Sequence, residues 1–338
     1  MKQRFSKRTR LVSALLTLAM VFTFLPFSAF AAAETYVPLY NFPDEAFREY
    51  LEQFDTDNDT FLSTTEREAV AKIDVHTKSI DSLKGIEFFP NLETLYCYNN
   101  QLTSLDVSQN TALQELACFE NQLTSLDVSQ NPALQKLNCG HNRLTSLDVS
   151  KNTELTYLDC GYNRLTELDV SQNTKLTELY FVSNKITSLQ ADNCTNLTVI
   201  FTGSNKYKVE VYKKTRILDP SILPGNFDIS RVRNLKGATQ NADGTLTVQE
   251  GGGKVTYEYR CVGEIYKPFT LNVTETDDPN AGIVPPVTPP SGGDTPGGST
   301  GGETGGGSTG GSTPGGPTKG IVAQPDKFVV ILGILPQT

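Results

Sequence analysis

Residues 92–107 read LETLYCYNNQLTSLDV, and the same pattern returns 21 residues later at 113–128 as LQELACFENQLTSLDV. Two further copies follow at 134–149 and 155–170 with the same spacing. Each copy fits L-x-x-L-x-C-x-x-N-x-L-x-x-L-x-V. One such unit is too short to bury its apolar side chains alone, so stacked neighbours must cover them. The spacing therefore predicts a solenoid with one coil per repeat.

The pattern within a repeat predicts the path of each coil. Leu95 and Cys97 alternate with polar or aromatic residues, which favours a short strand with two inward side chains. Stacked coils would place these strands in one parallel sheet. Asn100 falls where the chain leaves the strand, and its amide can satisfy backbone groups of its own coil and the neighbouring one. An earlier unit opens the array, marked by apolar residues at Ile73, Val75, Ile80, Leu83 and Ile86.

This region resembles the bacterial secreted and cell-wall leucine-rich-repeat proteins of the internalin J type, which have 21-residue units and a cysteine ladder. The resemblance covers about 140 residues and is carried by the LTSLDVSQN runs and by Cys97, Cys118, Cys139 and Cys160. It implies an adhesion or interaction protein that is secreted or attached to the wall. The expected fold is a β-rich leucine-rich-repeat solenoid with its parallel sheet on the concave face. We expect a short helical N-terminal cap, a small all-β C-terminal domain and a disordered tail.

The ends of the chain differ in composition from the repeats. Residues 1–31 combine a basic start, an apolar stretch from Leu11 to Phe27 and an Ala29-Phe30-Ala31 cleavage site, as in a signal peptide. A signal-anchor helix is the alternative. Residues 32–72 form the expected helical cap, 73–211 the solenoid and 212–276 the small β domain. Strand-like alternation at 245–248, 255–259 and 269–273, with glycine turns at 242–244 and 251–253, supports the last assignment.

Residues 277–320 are rich in Pro, Gly, Ser and Thr, which predicts a linker that holds the folded part away from a surface. The segment 321–338 ends in Leu335, Pro336, Gln337 and Thr338, which resemble a sortase signal cut short before its glycine. We expect this signal to be truncated in the sequence, and coincidence is the alternative. If the signal is real, the chain is joined covalently to the peptidoglycan of a Gram-positive cell wall.

Four of the six cysteines form the ladder, at an inward position that leucine usually fills. We expect them to be buried, reduced thiols. Cys194 and Cys261 stand apart from the ladder, because Cys194 replaces a convex-side asparagine and Cys261 lies in the β domain. A disulfide between these two would tie the solenoid to its C-terminal cap, and the sequence leaves it open.

Residues 55–66, DTDNDTFLSTTE, resemble a single EF-hand loop. Counting along the loop makes its calcium ligands Asp55, Asp57, Asp59, the carbonyl of Phe61, Ser63 and Glu66. One departure is Thr60, which stands where glycine permits the sharp turn, so strain is expected there. The interpretation is a weak structural Ca²⁺ site, and an acidic loop without metal is the alternative.

The outward strand positions carry the candidate ligand-binding residues Tyr96, Tyr98, Phe119, Tyr157, Asp159, Tyr180 and Phe201. Aromatic side chains on a concave sheet suit recognition of a protein or glycan on a host or neighbouring cell, although they could simply pack on each other. The net charge of -9 falls to -14 without the five basic residues of the signal peptide, which argues against nucleic acid. Because His76 and His141 belong to no catalytic motif, we expect a binding module and no enzyme. The alternative is a structural spacer of the cell surface without a ligand.

Overall fold

The computed structural model describes residues 35–283. The expected signal peptide at 1–31, the segment 321–338 with its sortase-like end and nearly all of the linker lie outside the described residues. Among residues 35–283, no helix is long and apolar enough to cross a membrane.

The N-terminal cap consists of a two-stranded sheet and two short helices. Strands β1 (Val37–Pro38) and β2 (Phe61–Leu62) pair antiparallel, and the helices are α1 (Glu45–Leu51) and α2 (Thr64–Glu68). Helix α1 is capped by Asp44, whose side chain accepts a hydrogen bond from the backbone N–H of Phe47 at 2.9 Å. Three-residue 3₁₀ turns precede and follow α1, at Leu39–Asn41 and Glu52–Phe54.

The solenoid follows as one seven-stranded parallel sheet with one three-residue strand per coil. Its register is unbroken, so that each middle residue pairs with the middle residue of the next strand, for example Leu95 with Leu116. Those middle residues point inward and are buried. The strands are β3 (Lys72–Asp74), β4 (Thr94–Tyr96), β5 (Glu115–Ala117), β6 (Lys136–Asn138), β7 (Tyr157–Asp159), β8 (Glu178–Tyr180) and β9 (Val199–Phe201). The prediction of a leucine-rich-repeat solenoid with a parallel sheet is confirmed.

The asparagines after the strands hold adjacent coils together, as the sequence predicts. Asn121 donates from Nδ2 to the carbonyls of Cys97 and Cys118, both at 3.0 Å, and its Oδ1 accepts from the N–H of Leu102 at 3.0 Å. The equivalent residues Asn142, Asn163 and Asn184 repeat this geometry one coil apart. Each side chain therefore satisfies buried backbone groups that no strand pairing reaches.

A second asparagine column lies on the convex side. Asn131 donates from Nδ2 to the carbonyls of Val107 and Asn110, at 3.0 and 2.9 Å, while its own Oδ1 is buried without a partner. Cys194 occupies the last position of this column in place of asparagine, and its thiol donates to the carbonyl of Val170 at 3.1 Å. All six cysteines are buried free thiols, so the structure contains no disulfide between Cys194 and Cys261.

The C-terminal domain consists of two sheets. The larger one has the order β10-β16-β15-β12, in which only β10 and β16 run parallel. The smaller one has the order β11-β14-β13 and is antiparallel. The strands are β10 (Lys206–Tyr212), β11 (Ile217–Leu218), β12 (Val232–Lys236), β13 (Ala238–Gln240), β14 (Leu246–Val248), β15 (Gly253–Val262) and β16 (Ile265–Thr276).

The start of this domain differs from the sequence-based boundary. Its sheet begins at Lys206 and not at 212, because Val209 and Val211 already alternate with exposed residues as in a strand. The domain also adds no strand to the parallel sheet, whose last strand is β9 among the described residues. It covers the apolar interior of the last coil instead, where Phe269 packs against Phe181 and the Tyr257 hydroxyl donates to the carbonyl of Thr187 at 2.7 Å.

Candidate binding face

The concave surface carries three rows of outward side chains, with one member of each row per coil. The first row is Lys72, Thr94, Glu115, Lys136, Tyr157, Glu178 and Val199, and the second is Asp74, Tyr96, Ala117, Asn138, Asp159, Tyr180 and Phe201. The third row follows each strand by two residues and contains His76, Tyr98, Phe119, Gly140, Gly161, Val182 and Gly203. We call these three rows the concave face. All seven predicted ligand-binding residues lie on it.

Aromatic rings stack along the third row at its N-terminal end. The ring centroids of His76 and Tyr98 are 4.6 Å apart and those of Tyr98 and Phe119 are 4.4 Å apart, with interplanar angles of 9° and 8°. The stack follows from the strand spacing, because equivalent residues of neighbouring coils lie within about 5 Å of each other. Tyr98 and Phe119 are partly buried and His76 is exposed, so the rings pack on each other as in the alternative left open by the sequence.

Charges in the same half of the face are paired. Glu115 accepts hydrogen bonds from the Tyr96 hydroxyl at 2.7 Å and from Lys136 Nζ at 2.6 Å. Burial raises the pKa of Glu115, but these two donors outweigh it and leave the pKa below its ordinary value. Lys72 lies 4.7 Å from the centroid of the Tyr96 ring and 3.4 Å from the carboxylate of Asp74. The charged side chains Glu115, Lys136, Lys72 and Asp74 in the N-terminal half of the face are therefore paired with opposite charges of the same chain.

The C-terminal half combines aromatic rings with carboxylates. Tyr180 stacks on Phe201 with centroids 5.1 Å apart and an angle of 5°, and Tyr157 lies 5.5 Å from Tyr180. The Tyr180 hydroxyl donates to Glu178 at 3.0 Å. Phe201 is 54% exposed, because β9 is the last strand of the parallel sheet among residues 35–283. The pKa of Tyr180 is raised to about 12, mainly by burial and then by its hydrogen bond to Glu178.

Asp159 occupies the middle of this half and is partly buried. Its Oδ1 accepts a hydrogen bond from the N–H of Gly161 at 2.9 Å. Burial raises the pKa of the Asp159 carboxyl, while the Gly161 hydrogen bond and the nearby His141 oppose the rise. His141 stacks on Tyr162 at 4.0 Å along the rim of the face, and Tyr162 is 43% exposed.

The predicted calcium ligands come together only in part. Ligand atoms of Asp55, Asp57 and Asp59 lie within 4.8 Å of one another. Glu66 is outside this group, because its carboxylate accepts hydrogen bonds from Thr56 and Ser63 in the capping box of α2. Burial raises the pKa of Glu66, but the hydrogen bonds from Thr56 and Ser63 outweigh it and lower the pKa to about 2.

The remaining predicted ligands are also engaged within the loop. The Ser63 hydroxyl accepts from the N–H of Glu66 at 3.2 Å. The backbone N–H of Phe61 donates to Asp59 at 2.7 Å. Thr60 has φ of +73°, the strained conformation expected from the sequence. The three aspartates could hold a cation in this arrangement, whereas Glu66 would first have to leave its helix cap.

Grooves lie away from the concave face, on the side where the LTSLDVS segments run. One of about 420 Å³ is lined by Asp148, Glu167 and Asp169 together with Gly225 and Asn226 of the C-terminal domain. Serine and aspartate line its neighbours along the array. These grooves are open, leucine also contributes to their lining, and they hold none of the aromatic residues proposed from the sequence.

Several members of the concave face escaped the sequence analysis. Lys72, Asp74 and His76 were missed because the first coil lacks the LTSLDV signature, although Ile73 and Val75 place it in the array. Gly140 and Gly161 were missed because a glycine attracts no attention as a binding residue. Counting every 21st residue from Tyr98 would have found both glycines.

Comparison with known proteins agrees with the repeat architecture. Residues 90–131 and 132–173 match the family model for leucine-rich repeats, with two copies. No curated protein matches the chain. The family match confirms the leucine-rich repeats predicted from the sequence. Such an array is, in general terms, a protein-interaction module.

Solved structures similar to this chain include a leucine-rich-repeat protein of Leptospira interrogans, with 30% identity, coverage of 38% of this chain and a TM-score of 0.36. The match spans only 36% of that protein. Internalin C2 of Listeria monocytogenes is 22% identical, with 53% of this chain and 90% of that one covered and a TM-score of 0.40. The functional domain of Listeria internalin J, described as including a cysteine ladder, is 16% identical over 71% of this chain and 99% of that domain, with a TM-score of 0.21. The similar structures thus include the internalins that the sequence pattern resembles.

Proposed function

We propose that this protein is an extracellular binding module that recognises a protein or glycan on a host or neighbouring cell through its concave face. The observation that carries the proposal is the concentration of aromatic rings on one side of the sheet, ending in the half-exposed Phe201. Aromatic side chains supply large contact areas at a small cost in conformational entropy, and they dominate the energetics of binding surfaces. Their partial packing on each other holds the rings in place before a ligand arrives.

Export and display complete the proposal. The signal-like segment 1–31 would direct the chain out of the cell, and the linker at 277–320 would hold the solenoid away from the surface. The ending Leu335-Pro336-Gln337-Thr338 supports covalent attachment to the peptidoglycan of a Gram-positive wall. Sequencing the DNA that follows Thr338 tests this part, because wall attachment requires a glycine, an apolar helix and a basic tail there.

The proposal assigns no catalytic activity to the chain. Each histidine is stacked on a tyrosine ring, His76 on Tyr98 and His141 on Tyr162. The ring of His76 also hydrogen-bonds to the carboxylate of Asp74, which is paired with Lys72. This arrangement supports a role for both rings in surface contacts.

A binding array tests the ligand-recognition proposal. The full chain is applied to arrays of glycans and of cell-surface proteins, beside a variant with Tyr96, Tyr157 and Tyr180 changed to alanine. A matched control changes three exposed residues of the convex side, Gln109, Gln130 and Gln172, to alanine. We expect the tyrosine variant to lose binding and the glutamine variant to keep it. Absence of any ligand would favour the alternative of a structural spacer, and binding that survives the tyrosine changes would contradict the concave face as the site.

We further propose that the loop at 55–66 binds Ca²⁺ weakly, at about 10⁻⁴ to 10⁻³ M, and stabilises the cap. The close approach of Asp55, Asp57 and Asp59 supports this role. Bound metal would raise the melting temperature, since a ligand specific to the folded state stabilises it. The measurement compares millimolar Ca²⁺ with EDTA for the wild type and for Asp57→Asn. A melting temperature that is the same in both solutions would contradict calcium binding.

A further inference from the structure

We propose that the outer face of the larger C-terminal sheet binds an anionic phosphodiester polymer of the cell wall. This surface is separate from the concave face, and the choice of the wall as the source of the polymer rests on the wall display proposed above. We call the surface the lysine face and define it by Lys206 and Lys208 on β10, Lys254 on β15 and Lys236 on β12.

The strand register places the four lysines on one side of the sheet, because paired residues of adjacent strands point to the same face. One row across the sheet consists of Lys206, Thr270, Thr256 and Lys236, and the next consists of Lys208, Asn272 and Lys254. Strands lie about 4.8 Å apart, and side chains on one face follow each other about every 7 Å along a strand. The four Cα atoms therefore lie within an area of roughly 14 by 7 Å.

This side of the sheet faces away from the solenoid. The alternate residues Val209, Tyr257 and Phe269 are buried on the opposite side, where Phe269 packs against Phe181 of the solenoid. The four lysines are all exposed. The lysine face is therefore accessible to a large ligand.

The positive charge of the lysine face is not neutralised within the chain. Among residues 35–283, no carboxylate lies within ion-pair distance of any of the four lysines. Glu258 is on the same side, but it accepts hydrogen bonds from Arg233 at 2.7 Å and from Asn234 at 2.9 Å. Glu210 lies one row beyond Lys208. The lysine face thus carries free positive charge in a chain whose net charge is -9.

Protection of the sheet edges accounts for only part of this pattern. Lysine on an edge strand discourages pairing with another chain, and β10 and β12 are the two edges of this sheet. Lys254 is on β15, an inner strand, where it has no such role. The exposed lysines of the concave face, Lys72 and Lys136, are instead paired with carboxylates. An external anion gives a reason for Lys254 that edge protection does not.

The residues between the lysines suit a phosphate group. Thr256, Thr270 and Asn272 lie between them, and their side chains make no hydrogen bond to another residue in the described part of the chain. Hydroxyl and amide groups can donate to phosphate oxygens while lysines neutralise the charge.

A polymer without bases is favoured over a nucleic acid. Single-stranded nucleic acids bind where bases stack on aromatic rings. Tyr266 is on the same side of the sheet, but the guanidinium of Arg233 lies 3.5 Å from its ring centroid and covers it. The position of the domain favours the wall as the source, because β16 ends at Thr276 and the linker at 277–320 follows directly. Wall attachment through that linker would keep this domain nearest to the wall.

Binding of the full chain to a fluorescent glycerol phosphate oligomer, measured by anisotropy at several salt concentrations, tests the inference. Each phosphate neutralised on a single strand contributes about -0.7 to the slope of log K against log salt, so four lysines give an expected slope of about -3. Changing Lys206, Lys208 and Lys254 together to glutamine should reduce the slope to about -1 and weaken binding at low salt by about tenfold or more. Lys254→Gln alone should reduce the steepness of the slope by about 0.7.

The matched control changes three exposed lysines of the solenoid, Lys84, Lys151 and Lys185, to glutamine. This variant has the same net charge as the triple variant of the lysine face and should bind the oligomer like the wild type. Circular dichroism should show both variants folded, because all six side chains are exposed.

Three results would overturn the inference. They are absence of salt-dependent binding to the oligomer, equal binding by the two triple variants, and tighter binding to oligothymidylate or to phosphatidylglycerol vesicles than to the oligomer. None of them affects recognition by the concave face, which the tyrosine variants test separately on the arrays. Conversely, loss of array binding in the tyrosine variant leaves the oligomer measurement unchanged.

Discussion

Replacing Asn121 with alanine tests how much the asparagine column contributes to the solenoid. The change removes hydrogen bonds to the carbonyls of Cys97 and Cys118 and from the N–H of Leu102, all at 3.0 Å and all buried. Both carbonyls keep a second asparagine donor, so the N–H of Leu102 is the one group left without a partner. An unpartnered buried group costs about 1 to 3 kcal/mol and each of the two other lost hydrogen bonds about 1 kcal/mol, which gives an expected destabilisation of about 3 to 5 kcal/mol. The assay is urea denaturation followed by circular dichroism.

Two further variants make the measurement specific. Asn131→Ala removes hydrogen bonds to two carbonyls, but it also removes an Oδ1 that is already buried without a partner, so we expect about half the cost of Asn121→Ala. Gln130→Ala, on an exposed neighbour, should change stability by no more than about 0.5 kcal/mol. A cost for Asn121→Ala below about 1 kcal/mol would refute the role assigned to the column.

Three other predictions concern charge and thiols. Burial raises the pKa of Asp44, but hydrogen bonds from the N–H groups of Phe47, Asp81 and Ser82 outweigh it and lower the pKa. The stabilisation by this carboxylate is therefore present above pH 3.8 and lost as the pH falls further. In acid titrations of stability, Asp44→Asn should depend less on pH than the wild type, and an identical profile would contradict this. Because burial raises the pKa of Asp159, its contribution to stability is full below pH 3.8 and lost as the pH rises through the folded-state pKa. At about pH 7 the melting temperature of Asp159→Asn should therefore be at least that of the wild type. A lower melting temperature would count against an unpaired carboxylate. Burial raises the pKa of the Cys97 thiol to about 12, and the other five thiols are buried as well. Iodoacetamide should therefore label no cysteine in the native protein at about pH 8 and all six in urea. Labelling of the native ladder would be inconsistent with its inward position.

The 21-residue spacing made most of the solenoid predictable from the sequence. Leucines at fixed spacing determine which side chains point inward, and strand alternation then assigns Tyr96 and Tyr180 to the concave face. The inward cysteines and the bridging asparagines follow from the same register. A strict repeat is favourable for prediction because each coil contacts mainly its neighbours.

The remaining features depend on interactions that a repeat register does not encode. Strand β10 pairs with β16, some 60 residues later in the chain, so the local alternation of Val209 and Val211 does not by itself assign this strand to the second domain. The engagement of Glu66 in a helix cap competes with its predicted role as a calcium ligand, and only the structure reveals which hydrogen bonds it makes.

The central claim is that the concave face binds the ligand, and the most direct test is an affinity measurement with variants of each side. Once the arrays supply a ligand, its dissociation constant is determined for the wild type, for Tyr157→Ala with Tyr180→Ala, and for Gln130→Ala with Gln172→Ala. A hot-spot aromatic residue contributes about 2 kcal/mol or more, so the loss of two predicts about a thousandfold weaker binding for the tyrosine pair, with no change for the glutamine pair. Equal affinities for the wild type and the tyrosine pair would contradict it.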